Sequence, residues 1–247
     1  MKTVLITGCS SGYGLEIARH FHTQGWKVIA TMRTPQNLIG PASENLRVIA
    51  MDVTKPERIA HALNECGPID VLVNNAGIGL FGAFEATPMS TVRDIFETNT
   101  FGVMNVCQAV IPQFRARRAG MIVNVTSSTT LAPFPLVAAY TASKTAVEGF
   151  TASLALELRT FNVNVKIVQP GYGPSTRFTA NGQQRMQGLI PETYASYAQR
   201  VFAGMTQIDA VTTPSDVAEV VWHAANDPSD QLNYPAGADA VSLRLKR

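Results

Sequence analysis

The sequence predicts an α/β fold, a doubly wound parallel sheet with helices on both faces, built as a single domain over residues 1–247. Three observations carry that prediction. Short runs rich in β-branched residues alternate with longer segments of helical period along most of the chain. The short runs are apolar throughout, as strands covered on both faces must be, and do not alternate with polar residues. Hydrophobic residues make up 46% of the 247 and charged residues 15%, enough apolar material for one sheet between two helical layers.

In chain order, the strands are Thr3 to Thr7, Lys27 to Met32, Leu46 to Ala50, Ile69 to Asn74, Met121 to Thr126 and Val163 to Gln169. Helices are expected at Gly12 to Gln24, Pro56 to Cys66, Met89 to Arg118, Ala138 to Thr160 and Ser215 to Asn226. Pro56 and the pair Pro214-Ser215 mark helix starts, because proline at the first turn sacrifices an N–H that has no partner there. The run Arg115, Arg117 and Arg118 precedes a glycine at a helix end, where cations complement the last carbonyls. Only Tyr172 to Thr213 breaks the rhythm, and it reads as a loop with short helices that forms a substrate lid. Its Phe178, Met186, Leu189, Ile190, Tyr194, Tyr197 and Phe202 have two readings of equal standing, an apolar pocket wall or the packing of the lid itself.

Bulk properties exclude several classes. A net charge of +2, spread along the chain, creates no field that would concentrate on nucleic acid or an anionic membrane. Nothing reaches the length of a membrane span or has the layout of a signal peptide. Cys9, Cys66 and Cys107 are too few and too scattered for a disulfide framework, which fits a reducing, cytoplasmic setting. His20, His22, His61 and His223 have no metal-ligand spacing, and no metal is expected.

Thr7-Gly8-Cys9-Ser10-Ser11-Gly12-Tyr13-Gly14 joins the first strand to the first helix. Gly8, Gly12 and Gly14 permit a tight turn, and the helix start beyond Ser10, Ser11 and Tyr13 presents free N–H groups and a positive dipole end to a pyrophosphate. This is the strand, loop and helix order of a Rossmann-type dinucleotide site, although three residues separate the first two glycines where G-x-G-x-x-G has one. About 20 residues further on, a carboxylate would bind an adenosine ribose, and an arginine would pair with a 2′-phosphate. The second strand ends Ala30-Thr31-Met32-Arg33, so the cofactor expected is NADP(H). Asp52, followed by Val53, has two readings that spacing supports equally: acceptor for an adenine amino group, or cap toward the helix at Pro56. Asn75, Ala76 and Gly77 end the fourth strand with small residues that let a ligand approach the backbone, as a plain turn also would.

Tyr140 and Lys144 lie four residues apart at the start of a helix and share one face. A nearby ammonium together with a positive nicotinamide ring would stabilise the phenolate, so Tyr140 is placed to exchange a proton with a substrate oxygen. Ser127 follows the fifth strand and can hydrogen-bond the same oxygen. All these motifs fall at the carboxyl ends of strands, where open α/β sheets bind ligands. Asn99, followed by Gly102, interrupts the long helix pattern and is either an ordinary helical residue or a kink holding a water beside Lys144.

Taken together, the TGxxxGxG loop, Asn-Asn-Ala-Gly, the helical Asn, the Ser and Tyr-x-x-x-Lys resemble the short-chain dehydrogenase/reductase family from Thr3 to about Thr176. The resemblance implies catalysis by Asn99, Ser127, Tyr140 and Lys144. It implies cofactor contacts from Gly8, Ser10, Gly14, Arg33, Asp52, Asn75, Ala76, Gly77, Tyr140 and Lys144, with Lys144 on the nicotinamide ribose. Pro170 and Gly171 match the start of the family's PGxxxT segment, but one extra residue precedes Thr, leaving Ser175 or Thr176 to meet the carboxamide. Tyr13 stands where the family commonly has Ile. Leu232 to Gly237 resembles the last family strand and its bend. A homodimer or homotetramer is also implied, with Ala146, Val147, Phe150, Leu154 and Leu158 forming an apolar stripe that intrachain packing explains equally well.

The function expected is reversible NADP(H)-dependent reduction of a small-molecule ketone or aldehyde with some hydrophobic surface. The alternatives are a nucleotide-binding sensor without catalysis, which would have no need of the four side chains, and a nucleotide-sugar isomerase or dehydratase, which would need a larger substrate region.

Overall fold

Seven parallel strands form one sheet: β1 (Thr3–Thr7), β2 (Lys27–Met32), β3 (Leu46–Ala50), β4 (Val71–Asn74), β5 (Gly120–Val125), β6 (Val163–Pro170) and β7 (Asn233–Ala236). Their spatial order is β3-β2-β1-β4-β5-β6-β7. The chain winds outward from β1 to β3 and then returns to β4, so the carboxyl ends of β1 and β4 flank the switch point. This computed structural model describes residues 1–41, 43–176, 185–205 and 210–246.

Mainly apolar strands feed two cores, with Asn74, Asn124, Lys166 and Gln169 as buried polar exceptions. Val4, Ile6, Val28, Ala30, Val71 and Val73 face α1 (Gly12–Thr23) and α7 (Pro214–Asn226), where Ile17, Phe21, Val217 and Val221 close the layer. Leu5, Ile29, Leu72 and Ile122 point the other way, against α2 (Pro56–Cys66), α4 (Gly102–Arg117) and α5 (Ala138–Arg159). Strand side chains thus alternate between two buried faces, which is why the runs carry no polar alternation. Val147, Leu154 and Leu158 of the α5 stripe are buried in this second core, while Ala146 and Phe150 are half-buried.

Several boundaries differ from the sequence expectation for physical reasons. The fourth strand begins at Val71, because the Ile69 N–H donates to Gln113 Oε1 and its carbonyl accepts from Arg117, side chains that take the place of a strand partner. Met89 to Arg118 is not one helix: α3 (Met89–Phe96) and α4 are joined by a π-helical turn, Glu97–Phe101, and Asn99 lies in it. Arg118 itself ends α4 in the left-handed conformation, at φ 50°, and Gly120 belongs to β5. Within the expected lid, residues 192–205 form a full helix, α6 (Glu192–Met205), and α7 opens one residue early on a capping box between Thr213 and Asp216. The last helix, α8 (Ala238–Leu245), follows β7.

A Cβ at Gly120 would lie 2.3 Å from the Phe114 ring, and Phe114 is fully buried. Gly120→Ala is therefore expected to cost about 2 kcal/mol of stability by overpacking, read as a lower urea midpoint with an unchanged slope.

Among the described residues no group of three His, Cys, Asp or Glu is arranged to hold a metal ion, and no helix is long and apolar enough to cross a membrane.

Candidate active site

The glycine-rich loop is held by the loop after β4. Thr7 Oγ1 accepts from the backbone N–H groups of Asn75 and Ala76, at 3.0 and 2.9 Å. Asn75 Nδ2 returns bonds to the carbonyls of Thr7 and Gly8. Gly8 turns at φ +76°, and a Cβ there would come 2.8 Å from Ala76 Cα. A Cβ on Gly14 would sit 2.3 Å from the Gly8 carbonyl oxygen, so only glycine lets α1 start this close to the loop. Ser11 is the N-cap of α1 but its side chain makes no cap hydrogen bond, and Ser10 is exposed. The first-turn N–H groups therefore lack a side-chain acceptor, an arrangement suited to an anion.

The second group of predicted residues meets across the carboxyl ends of β4 and β5. Tyr140 is buried on α5, and its hydroxyl shares a hydrogen bond with Ser127. Ser127 Oγ accepts from the Thr129 N–H at 3.2 Å, which leaves its own hydrogen for another acceptor. One turn on, buried Lys144 donates from Nζ to the Val125 carbonyl at 3.0 Å. Asn99 is fully buried: Oδ1 accepts from Ile78 N–H, and Nδ2 donates to Ile78 O and Ser143 Oγ. A Cβ on Gly77 would lie 3.3 Å from both Asn99 Oδ1 and Lys144 Nζ, so one glycine separates these groups.

Burial dominates the electrostatics. It pushes the Tyr140 phenol up to about 12, with the Ser127 hydrogen bond pulling the other way, and it lowers the Lys144 ammonium to about 8. In the protein alone desolvation is the largest influence on the phenol. Tyr13 is pushed up by burial, and then by the neighbouring Tyr140, Asp239 and Asp216.

Other predicted positions spread along the same edge. Arg33 is exposed just past β2. Asp52 does not cap α2, whose N-cap is Lys55; its Oδ1 accepts from the N–H and hydroxyl of Thr54 and so ties the turn after β3. Val53 is buried at Gly102, and its carbonyl accepts from Asn105. Pro170 ends β6, and Gly171 donates to Ala236 O. Thr176 bonds back to Gly173 and is 3.6 Å from where a Cβ on Gly12 would stand, whereas Ser175 is exposed. Tyr13 and the loop after β6 meet each other: Tyr13 Oη approaches Gly171 O at 3.5 Å, and a Cβ on Gly173 would fall 2.0 Å from that hydroxyl.

Beyond Tyr140 lies an apolar wall of Leu80, Ile95, Val137, Ala139 and Leu189, with Phe81 and Phe134 packed on it. Phe202 of α6 meets Phe81 at 5.9 Å between ring centroids, while Met186, Ile190 and Tyr194 are half-buried and Tyr197 is exposed. Phe178 lies outside the described residues.

Two features have no counterpart in the sequence reading. Asp239 accepts from Tyr172 N–H and Thr212 Oγ1, each at 2.6 Å, and so joins both ends of the expected lid. Glu148, one turn beyond Lys144, gathers donors from β5 and β6. Glu148 gave no local signal, because its partners lie 21 and 22 residues away in the chain. Asp239 gave none either, since it lies far along the chain from its partners.

Residues 2–187 match the family model described as short chain dehydrogenase. Retinol dehydrogenase 8 of Bos taurus is 36% identical over 239 residues, which cover 89% of this chain and 76% of the relative. A short-chain dehydrogenase structure from Streptomyces avermitilis superposes with a TM-score of 0.84 at 33% identity, over 99% of this chain and 91% of that one. The closed form of serine dehydrogenase complexed with NADP+ superposes with a TM-score of 0.78 at 28% identity, over 94% and 93% of the two chains.

Proposed function

Since the chain belongs to the short-chain dehydrogenase family, we propose that it is an NADP(H)-dependent reductase of lipophilic ketones or aldehydes, reversible as an alcohol dehydrogenase. The observation that carries this reading is the meeting of buried Tyr140 with half-buried Ser127, one helical turn from buried Lys144, which holds the Val125 carbonyl two residues before that serine. A noncatalytic nucleotide sensor is not favoured, because it would have no use for that set.

The loop fits a dinucleotide: an uncapped helix start, and glycines at 8, 12 and 14 that no side chain fills. Gly8, Ser10, Ser11, Gly12, Tyr13 and Gly14 would hold the pyrophosphate. Arg33 would meet the 2′-phosphate, and Asp52 and Val53 the adenine. Asn75, Ala76, Gly77, Pro170, Gly171 and Thr176 would line the nicotinamide side. Lys144 and Tyr140 would reach its ribose. When bound, the nicotinamide would supply or accept the hydride.

The remaining chemistry belongs to this chain. Ser127 donates to the substrate oxygen while Thr129 N–H fixes its lone pair. Tyr140 gives its proton to that oxygen as charge develops, and burial keeps the phenol protonated near neutral pH. Asn99, locked to Ile78, keeps the π-helical turn against the loop after β4, beside Lys144. The apolar wall of Phe81, Phe134, Leu189 and Phe202 favours a lipophilic substrate, in keeping with the name of the Bos taurus relative. A cytoplasmic homodimer or homotetramer completes the reading; three buried free thiols suit a reducing compartment, and sedimentation reads the assembly.

Fluorescence titration of NADPH and NADH tests the cofactor assignment. NADPH is expected to bind more tightly, and Arg33→Ala to weaken NADPH about tenfold while sparing NADH, the loss of one charge-assisted contact. Equal binding of both nucleotides to wild type would remove the 2′-phosphate role of Arg33.

A further inference from the structure

Glu148 is a half-buried acid on α5, one turn beyond buried Lys144. Its single oxygen Oε1 lies 2.9 Å from Thr126 Oγ1, 2.6 Å from Thr130 Oγ1 and 2.8 Å from Gln169 Nε2. Those donors come from the end of β5, the short 3-10 turn after it and the end of β6. A carboxylate oxygen can accept several hydrogen bonds where a neutral donor group could not, so this one atom ties three separate segments to α5.

The tie encloses Ser127. Thr126 precedes it, and Thr130 closes the turn behind it, with Oγ1 also 2.6 Å from the Ser127 carbonyl. Ser127 is extended, at φ −170° and ψ 152°, and its Oγ is aimed by the Thr129 N–H at one side and by Tyr140 at the other. Lys144 holds the Val125 carbonyl, so two residues of α5 one turn apart, Lys144 and Glu148, grip consecutive residues of the chain just before Ser127.

We propose that Glu148 is a positioning residue for Ser127: its carboxylate, through Thr126 and Thr130, keeps the serine hydroxyl within reach of Tyr140 and of a substrate oxygen. It acts through Ser127 and does not touch substrate. The role rests on the reductase reading, in which Ser127 orients the carbonyl. Displacing a reacting group by about 1 Å can cost orders of magnitude in rate without any loss of fold.

The test combines crystallography and kinetics on the full chain. In Glu148→Ala, Ser127 Oγ is expected to leave hydrogen-bond reach of Tyr140 and kcat to fall about tenfold, with NADPH affinity unchanged. Glu148→Gln, whose amide oxygen has two lone pairs for the three donors, is expected to restore part of the rate. Thr130→Val removes only one strut at constant shape and is expected to lower kcat in the same direction, which covers the case in which Glu148→Ala does not fold. An intact Ser127–Tyr140 hydrogen bond in Glu148→Ala crystals overturns the proposal whatever the turnover. So does a loss of NADPH binding in step with kcat, because that marks a general structural role. Normal turnover by Tyr140→Phe would instead sink the reductase mechanism, and the Ser127 coordinates would still judge Glu148.

Discussion

Tyr140→Phe is expected to lower turnover with a carbonyl substrate by about three orders of magnitude while leaving NADPH binding essentially unchanged. The phenol is the group placed to give up a proton beside Ser127, and burial holds it protonated, up to about 12, so the proton is present throughout the neutral range. Phenylalanine keeps the ring that packs with Leu80, Ile95, Val137 and Leu189, so the melting temperature should hardly move. What disappears is the donor and the partner of the Ser127 hydroxyl. A kcat that survives the substitution would mean that another group protonates the substrate oxygen.

The pH dependence of stability carries the second large effect, and Lys144 sets its sign. Its ammonium is buried, and desolvation lowers it from an ordinary value of 10.5 to about 8. Below pH 8 both folded and unfolded chains bind the proton, and folding bears the whole cost of burying the charge. Between about 8 and 10.5 the unfolded chain still binds the proton and the folded chain does not, so stability rises with pH. Above that window the cost is gone. Burial of Tyr140, Cys9 and Cys107 acts in the opposite direction at high pH, since their raised values make the folded chain the one that keeps protons. Comparison with Lys144→Met cancels those groups. From neutral pH to pH 10.5, wild type is expected to gain about 3 kcal/mol relative to the variant, read from urea midpoints at each pH. A constant difference would mean that Lys144 is solvated and ordinary.

The cost is the physical signature of a site. A lysine is rarely fully buried without an ion pair, and here its partner is a neutral carbonyl, that of Val125. Nucleotide hydroxyls would supply the further acceptors that such an ammonium lacks, so binding should recover part of what folding loses.

Much of this was legible from residue order. Unbroken β-branched runs announced strands buried on both faces, and Tyr140 and Lys144 four residues apart on a helix were bound to share a face. Glycines at 8 and 14 announced a tight turn, and the structure adds the close approaches to Ala76 and to the Gly8 carbonyl. Long-range partnerships were not legible. Ile69 has the composition of a strand residue but bonds to side chains of α4, and no local pattern reports that. The π-helical turn at Asn99 depends on Ile78 and Ser143, 21 and 44 residues away. The same holds for Glu148: a glutamate in a helix usually signals solvent, and only the convergence of β5 and β6 on α5 turns it into an acceptor at the site. Tyr13 and the lengthened loop after β6 were two separate departures in the sequence, and they meet in the fold.

The most direct test of the central claim is isotope transfer. Wild-type protein, NADPH deuterated at the transferring position and a panel of lipophilic ketones and aldehydes would be incubated, and the alcohol products analysed by mass spectrometry. The reductase reading predicts deuterium on the new carbinol carbon, abolished by Tyr140→Phe, with loss of nicotinamide absorbance in step. Tight NADPH binding with no deuterated alcohol from any lipophilic carbonyl would contradict it.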